Sequence, residues 1–318
     1  MQIGITYASV ALTAVLWGAN FNLSKHVLVD LNALTAAAAR FDIAALVMLV
    51  VTALKGQAVP LIRHGRAYLT LGLVGIGAFN VLFFCGMQMT SAVNGALIMA
   101  LNPLVTAVLA FLITGYRPSS RQLWAFPLGL AGVGVVVLGG GAHLRIAGGD
   151  LLMLAANLCW ALYNVLVGKL LPRDVGALAN TTAVMLAGAV ALSLVAALAG
   201  APLAAPGADA LGSLLLMSLL GTVLAYLFWN EGIARLGAAR TAVFLNLVPV
   251  SSMVISALEG HPPTPVQLVG GATVIGAVTL ASLSTRVDRA ADVQRERVTP
   301  SAVRLPEPRT DCFNAGEP

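Results

Sequence analysis

Read from its first residue, the chain is a succession of apolar runs separated by short polar punctuation. A helix that crosses hydrocarbon needs ~20 mostly apolar residues. Lipid offers backbone groups no hydrogen bond, so runs of this length fold as helices. Ten are predicted: Ile5–Ser24, Ala33–Leu54, Tyr68–Gln88, Ala92–Thr114, Leu123–Gly139, Leu151–Leu171, Leu178–Leu198, Leu211–Asn230, Thr241–Leu258 and Val266–Leu283. Proline, glycine and charge mark the connections at 56–66, 117–121 and 200–209. The first run is read as a mature span and not as a secretory signal, because no basic residue precedes it and it carries Trp17, Asn20 and Asn22. After Ser284 the apolar period stops and arginine mixes with acids and proline, which predicts a disordered tail over 286–318.

Composition sharpens this picture. With 58% hydrophobic and 10% charged residues and a mean hydropathy of +0.89, the chain is far more apolar than an ordinary soluble domain. Its formal charge of +5 matters through its placement. With the N-terminus in the cytoplasm, Lys55, Arg63, Arg66, Arg117, Arg121, Lys169, Arg173, Arg235, Arg240 and six tail arginines fall on the cytoplasmic side, against Lys25 and Arg145 outside. That asymmetry predicts two cytoplasmic termini, so the basic balance is a topology signal and nucleic acid is not an expected partner. Cys85, Cys159 and Cys312 make neither a disulfide framework nor a metal pattern. No phosphate-binding loop, metalloprotease helix or nucleophile elbow occurs, and the four histidines are scattered. The expectation is a protein that is no enzyme, binds no cofactor and works as a monomer in the bilayer on a small-molecule substrate.

The two halves repeat. Trp17 answers to Trp160, the Gly86 to Ala92 spacing to Gly232 and Ala238, Pro103 to Pro249, and Gly115 and Gln122 to Gly260 and Gln267. Each half holds five predicted helices, an odd number, so the second copy starts on the opposite side of the membrane. The domain reading is a first repeat over 1–140 and an inverted second repeat over 150–285. Such repeats typify secondary transporters, with the substrate near the midplane between the halves and alternating access by rocking.

Leu16-Trp17-Gly18-Ala19-Asn20-Phe21, Ala39-Arg40-Phe41, the Gly86 to Ala92 helix ending and Asn102-Pro103 together resemble the EamA family of the drug/metabolite transporter superfamily. The resemblance covers about residues 5–283 and is strongest to bacterial exporters of aromatic and other amino acids. It implies ten helices, both termini in the cytoplasm, residence in the bacterial inner membrane, and export of a metabolite. The chain departs from the commoner Gly-Glu-Arg after the fourth helix, having Gly115-Tyr116-Arg117.

Polar and aromatic residues on spanning helices are costly unless they face a cavity or another helix, so their grouping predicts the pathway. On the first helix Thr13, Trp17, Asn20 and Ser24 share a stripe; on the sixth Asn157, Trp160 and Asn164 do, with Tyr163 beside them. The third helix contributes Phe79, Asn80 and Phe83, and the eighth Tyr226, Trp229 and Asn230. Packing or an interfacial belt also explains such residues, Trp17 above all, which the predicted span puts near its outer end. Arg40 and Asp42 are the charges deep in a span, each costing ~2.5–3.5 kcal/mol at a helix centre. Arg40 either meets a substrate carboxylate or snorkels to the outer surface. Two function classes fit this residue set, an amino-acid exporter and an exporter of drugs or other small metabolites.

Overall fold

The structure is a computed structural model and describes residues 2–115, 120–138, 148–236, 243–277 and 279–280. The predicted tail at 286–318, the helix ends at Gly139, Thr241 and Leu283, and the charged residues Arg117, Arg145 and Arg240 lie outside the described residues. Every regular element among the described residues is helical. Seven helices are long and apolar enough to cross a membrane: α1 (Gly4–Asp30), α2 (Ala33–Leu54), α3 (Gly65–Met89), α4 (Ala92–Ile113), α6 (Gly148–Leu170), α7 (Ala177–Leu198) and α8 (Ala208–Gly232). Shorter apolar helices occupy the other three expected positions: α5 (Leu123–Val135), α9 (Phe244–Leu258) and α10 (Pro265–Ala277).

Local chemistry sets the ends. The Asn32 side chain accepts from the Thr35 amide at 2.8 Å to start α2, and the Ser91 hydroxyl accepts from the Asn94 amide at 3.0 Å to start α4. Gly56, Gly115, Gly200 and Gly260 have positive φ, the left-handed conformation that stops a helix and that glycine adopts without strain. They form two repeat-related pairs, Gly56 with Gly200 and Gly115 with Gly260. Asp150, in the first turn of α6, is an acid that the hydropathy pattern hid. It is buried and accepts from the Thr90 hydroxyl at 2.5 Å, at a helix end where the dipole favours negative charge.

Three features depart from ten uninterrupted helices with the predicted bounds. The first helix continues past Ser24 to Asp30, because Val27 and Leu31 carry its apolar face onward into the core. Trp17 therefore sits near the middle of α1, and an interfacial belt no longer explains it. Pro103 and Pro249 open helical segments and do not kink their interiors: α4 breaks at Ala100 and Leu101 before restarting at Asn102, and a 3-10 turn over Val243–Asn246 precedes Leu247–Leu258. Proline is at home in a first turn, where its missing N–H has no partner to lose. The third feature is a pair of π-helical turns, Leu73–Ala78 inside α3 and Leu219–Leu224 inside α8. They stand at the same 146-residue offset as the two prolines.

Packing pairs first-half helices with second-half helices. α1 lies against α8 and α9, while α6, its counterpart, lies against α3 and α4; α2 packs on α7 and on α8, and α7 in turn on α3. Small residues let these backbones close up. A Cβ added at Gly18 would stand 2.6 Å from the Val248 carbonyl, and one at Gly132 3.0 Å from the Gly270 carbonyl.

Candidate functional site

The π turns create the site's chemistry. In an uninterrupted α-helix the Ala225 amide would bond to the Gly221 carbonyl. Here it donates instead to Leu220 and Thr222. The Gly221 carbonyl then receives three side chains from the first half: the Trp17 indole N–H at 3.1 Å, the Asn20 amide at 3.4 Å and an Arg40 Nη at 3.4 Å. Arg40 Nε also donates to the Thr222 hydroxyl at 2.9 Å. The guanidinium carbon lies 5.3 Å from the centre of the Phe41 ring. Arg40 is buried and turned into the helix bundle, so it does not snorkel; acceptors freed by the π turn lie within its reach. Asp42 is not its partner. The Ser193 hydroxyl donates to that carboxylate, with its oxygen 2.7 and 2.9 Å from the two carboxylate oxygens.

Beside this cluster is a cavity. Of the predicted site residues, Trp17, Asn20, Arg40, Phe79, Phe83, Trp160 and Tyr226 line it. Trp17 and Trp160 meet edge to face with ring centres 5.8 Å apart, and Tyr226 stands 6.1 Å from Trp17 and 6.0 Å from Trp160. Phe79 packs at 5.2 Å on Trp160, and Phe83 at 5.2 Å on Phe21. Rings held by other rings form a stiff apolar wall. Neither the Trp160 indole N–H nor the Tyr226 hydroxyl has a protein acceptor among the described residues, so both remain available to a ligand.

The other predicted residues stand behind this wall. Tyr163 stacks on Trp160 at 5.1 Å, and Trp229 packs on Trp17 at 4.8 Å. Asn80 donates to its own helix at Ile76, and Asn230 to the Thr181 hydroxyl at 2.5 Å. Asn164 donates to Asn102 Oδ1 at 3.1 Å. Asn102 in turn donates to Asn157 Oδ1 at 2.9 Å, and Asn157 to the Ile98 carbonyl at 2.6 Å. The Asn157 amide thereby satisfies the Ile98 carbonyl where α4 breaks, and Asn102 also lines the cavity. The cavity also takes in Phe21, Met99, Leu245 and Val248. The repeat itself carried the signal for these: Met99 with Leu245, and Asn102 with Val248, keep the 146-residue offset and line the site as mates.

Polar ties stand at both ends of the bundle, all but one of them between the halves. At one end His26 meets Asp209 at 3.1 Å and Glu259 at 3.5 Å, Asp30 accepts from the Gly207 amide at 2.7 Å, and Lys25 Nζ donates to the Met87 carbonyl. At the other, Arg63 and His64 approach Asp174 at 3.1 and 3.5 Å. The Asp174 carboxyl is held below the usual carboxylate range, first by its own backbone hydrogen bond and then by those two neighbours. Among the described residues no group of histidine, cysteine and acidic side chains is placed to hold a metal ion.

The model of the EamA-like transporter family matches twice in succession, over residues 3–138 and 147–283. The chain belongs to the EamA-like transporter family. As an EamA-like protein it is similar along most of its length to named relatives. The uncharacterized transporter YyaM of Bacillus subtilis (strain 168) is 38% identical over 87% of this chain and 93% of its own. A probable terminal-alkyne amino-acid exporter of Streptantibioticus cattleyicolor is 27% identical over 90% and 96%. One solved crystal structure has the same fold at a TM-score of 0.68, with 19% identity, over 87% of this EamA-like chain and 96% of the other.

Proposed function

We propose that this protein is a secondary transporter that exports amino acids through the cavity between its two halves. The observation that carries the reading is the cavity itself. It is walled by Trp17, Trp160, Tyr226 and Phe79, and among the described residues that line it there is one cation and no carboxylate. Such a site suits a small amphipathic ligand with an anionic end. A relative whose name speaks of amino-acid export supports it. The same lining argues against cationic drugs, which need an acid to meet their charge, so a drug exporter is the weaker alternative.

The proposed architecture is ten spans in two inverted repeats, 1–140 and 150–285, with both termini in the cytoplasm of a bacterial inner membrane. The double family match, the paired π turns and the reciprocal helix contacts support the repeat. Alternating access then consists of rocking one half against the other, opening the His26 end and the Asp174 end in turn.

Proteoliposomes loaded with a panel of labelled amino acids, with and without an imposed pH gradient, test the proposal. Protein-dependent efflux of at least one amino acid is expected. Efflux no faster than from empty liposomes across the whole panel rejects it.

A further inference from the structure

We infer that Arg40 is the anion-binding residue of the cavity and that the substrate must therefore present a carboxylate to it. The inference rests on the proposed transport site and narrows its substrate class. Four observations lead to it. Arg40 is buried, and among the described residues no ion pair includes it. Both acceptors it does meet, the Thr222 hydroxyl and the Gly221 carbonyl, are neutral. Asp42, the acid nearest in sequence, is bonded to Ser193. Finally, Arg40 lines the cavity, and among the described residues no other charged side chain does.

The repeat supplies a control against a purely structural role. Aligning Ala33 of α2 with Ala177 of α7 puts Val184 opposite Arg40, and the π-turn offset puts Ile76 opposite Thr222. At the first π turn Ile76 packs so closely on α7 that a Cβ added at Gly188 would stand 2.3 Å from it. The same helix pairing is thus built from apolar residues in one half. The fold does not require a cation at this junction, and the half that has one places it on the cavity wall. A guanidinium with spare donors and no countercharge, in a medium of low dielectric, binds a carboxylate with two parallel hydrogen bonds. The faces of Trp17, Trp160 and Tyr226 then receive the ammonium group or the apolar side chain of the same ligand.

The test compares acids with the amides in which a neutral carboxamide replaces the carboxylate, on the purified full-length protein in nanodiscs, by ligand-induced thermal shift and by equilibrium binding. The pairs are L-phenylalanine with L-phenylalaninamide, and 3-phenylpropionate with 3-phenylpropionamide. Wild type should bind the acid of at least one pair roughly tenfold or more tighter than its amide. In Arg40→Gln that ratio should fall to about one with amide affinity kept, and Arg40→Lys should keep part of it. A ratio near one in wild type for both pairs overturns the inference, whether or not any variant folds, as does a preference that survives in Arg40→Gln. No binding of either acid overturns it too. If 3-phenylpropionate is preferred over its amide while no amino acid binds or is exported, the Arg40 site stands and the amino-acid reading fails. If both acids are handled like their amides and amino-acid efflux is present, the amino-acid reading stands and the Arg40 site fails.

Discussion

The two π turns occupy equivalent places in the two halves and do different things. At Leu73–Ala78 the turn is a packing device: Gly75 lies under the Tyr163 ring so closely that an added Cβ would stand 2.1 Å from it. At Leu219–Leu224 the equivalent Gly221 lies under Asn20, with an added Cβ also 2.1 Å from the amide oxygen, and its carbonyl gathers Trp17, Asn20 and Arg40. Asn20 and Tyr163 are themselves repeat mates. The polarity is reversed at the helix breaks. There the first half carries Asn102, bonded to Asn157 and Asn164 of α6, and the second half carries Val248. The two halves thus share their backbone devices while their polar groups differ, and residues of both polar sets line the cavity.

The most severe test of this comparison is alanine at each glycine. Gly75→Ala forces a methyl group into a ring already stacked on Trp160, and overpacking of that kind costs roughly 1–3 kcal/mol. A clear fall in melting temperature in detergent or nanodiscs is expected. Gly221→Ala displaces the end of a smaller, more adaptable side chain, so its melting temperature should fall less while efflux falls more. Equal thermal losses would mean that the two turns are not functionally divided.

A smaller effect is expected from Asn102→Leu, which turns the first break toward its apolar mate. It leaves the Asn157 and Asn164 amides short of a partner, at a cost of roughly 1–3 kcal/mol if they stay dry and less if the cavity hydrates them. Thermal melts should show a loss no larger than that of Gly75→Ala. Thr222→Ile makes the second turn resemble the first. Interhelical hydrogen bonds in membranes average about 0.6 kcal/mol, so stability should hardly change, and a large drop in melting temperature would show that the Arg40 to Thr222 contact is structural.

The least effect is expected at Asp174, outside the spans. Its depressed carboxyl favours the folded state above the ordinary carboxylate range and ceases to do so as pH falls through its lowered folded value. Because the group is solvent-exposed, Asp174→Asn should flatten the acid side of the stability profile only slightly. A large change at neutral pH would assign Asp174 a greater part in closing that end.

How much of this was legible in the sequence depends on which property carried the information. Hydropathy located the helices, because hydrocarbon thickness dictates run length, but it ended α1 too soon: Lys25, His26 and Asp30 break the apolar run without breaking the helix. Helical periodicity brought Trp17, Asn20, Trp160 and Tyr226 to one wall. It did not separate residues that line the cavity from those that brace it, such as Tyr163 and Trp229, because a side chain and its supporter lie on adjacent faces of one helix. The π turns left no mark in composition, since neither Leu-Val-Gly-Ile-Gly-Ala nor Leu-Leu-Gly-Thr-Val-Leu differs in kind from its surroundings. They follow from tertiary packing of glycine against Tyr163 and Asn20. The site of Arg40 on the chain was plain, yet its choice between the surface and the bundle depended on carbonyls that only a π turn releases.

The central claim, that the cavity between the halves is the substrate site, is tested most directly by efflux from proteoliposomes containing wild type, Trp160→Ala or Tyr226→Ala, with melting temperature measured on the same preparations. Each substitution removes a large ring from the wall, worth roughly 1–3 kcal/mol of ligand contact. Apparent affinity for an exported amino acid should fall about tenfold or more, while melting temperature changes much less. Unchanged efflux kinetics in both variants, or loss of folding in both, would show that these rings only pack the bundle and that the substrate passes elsewhere.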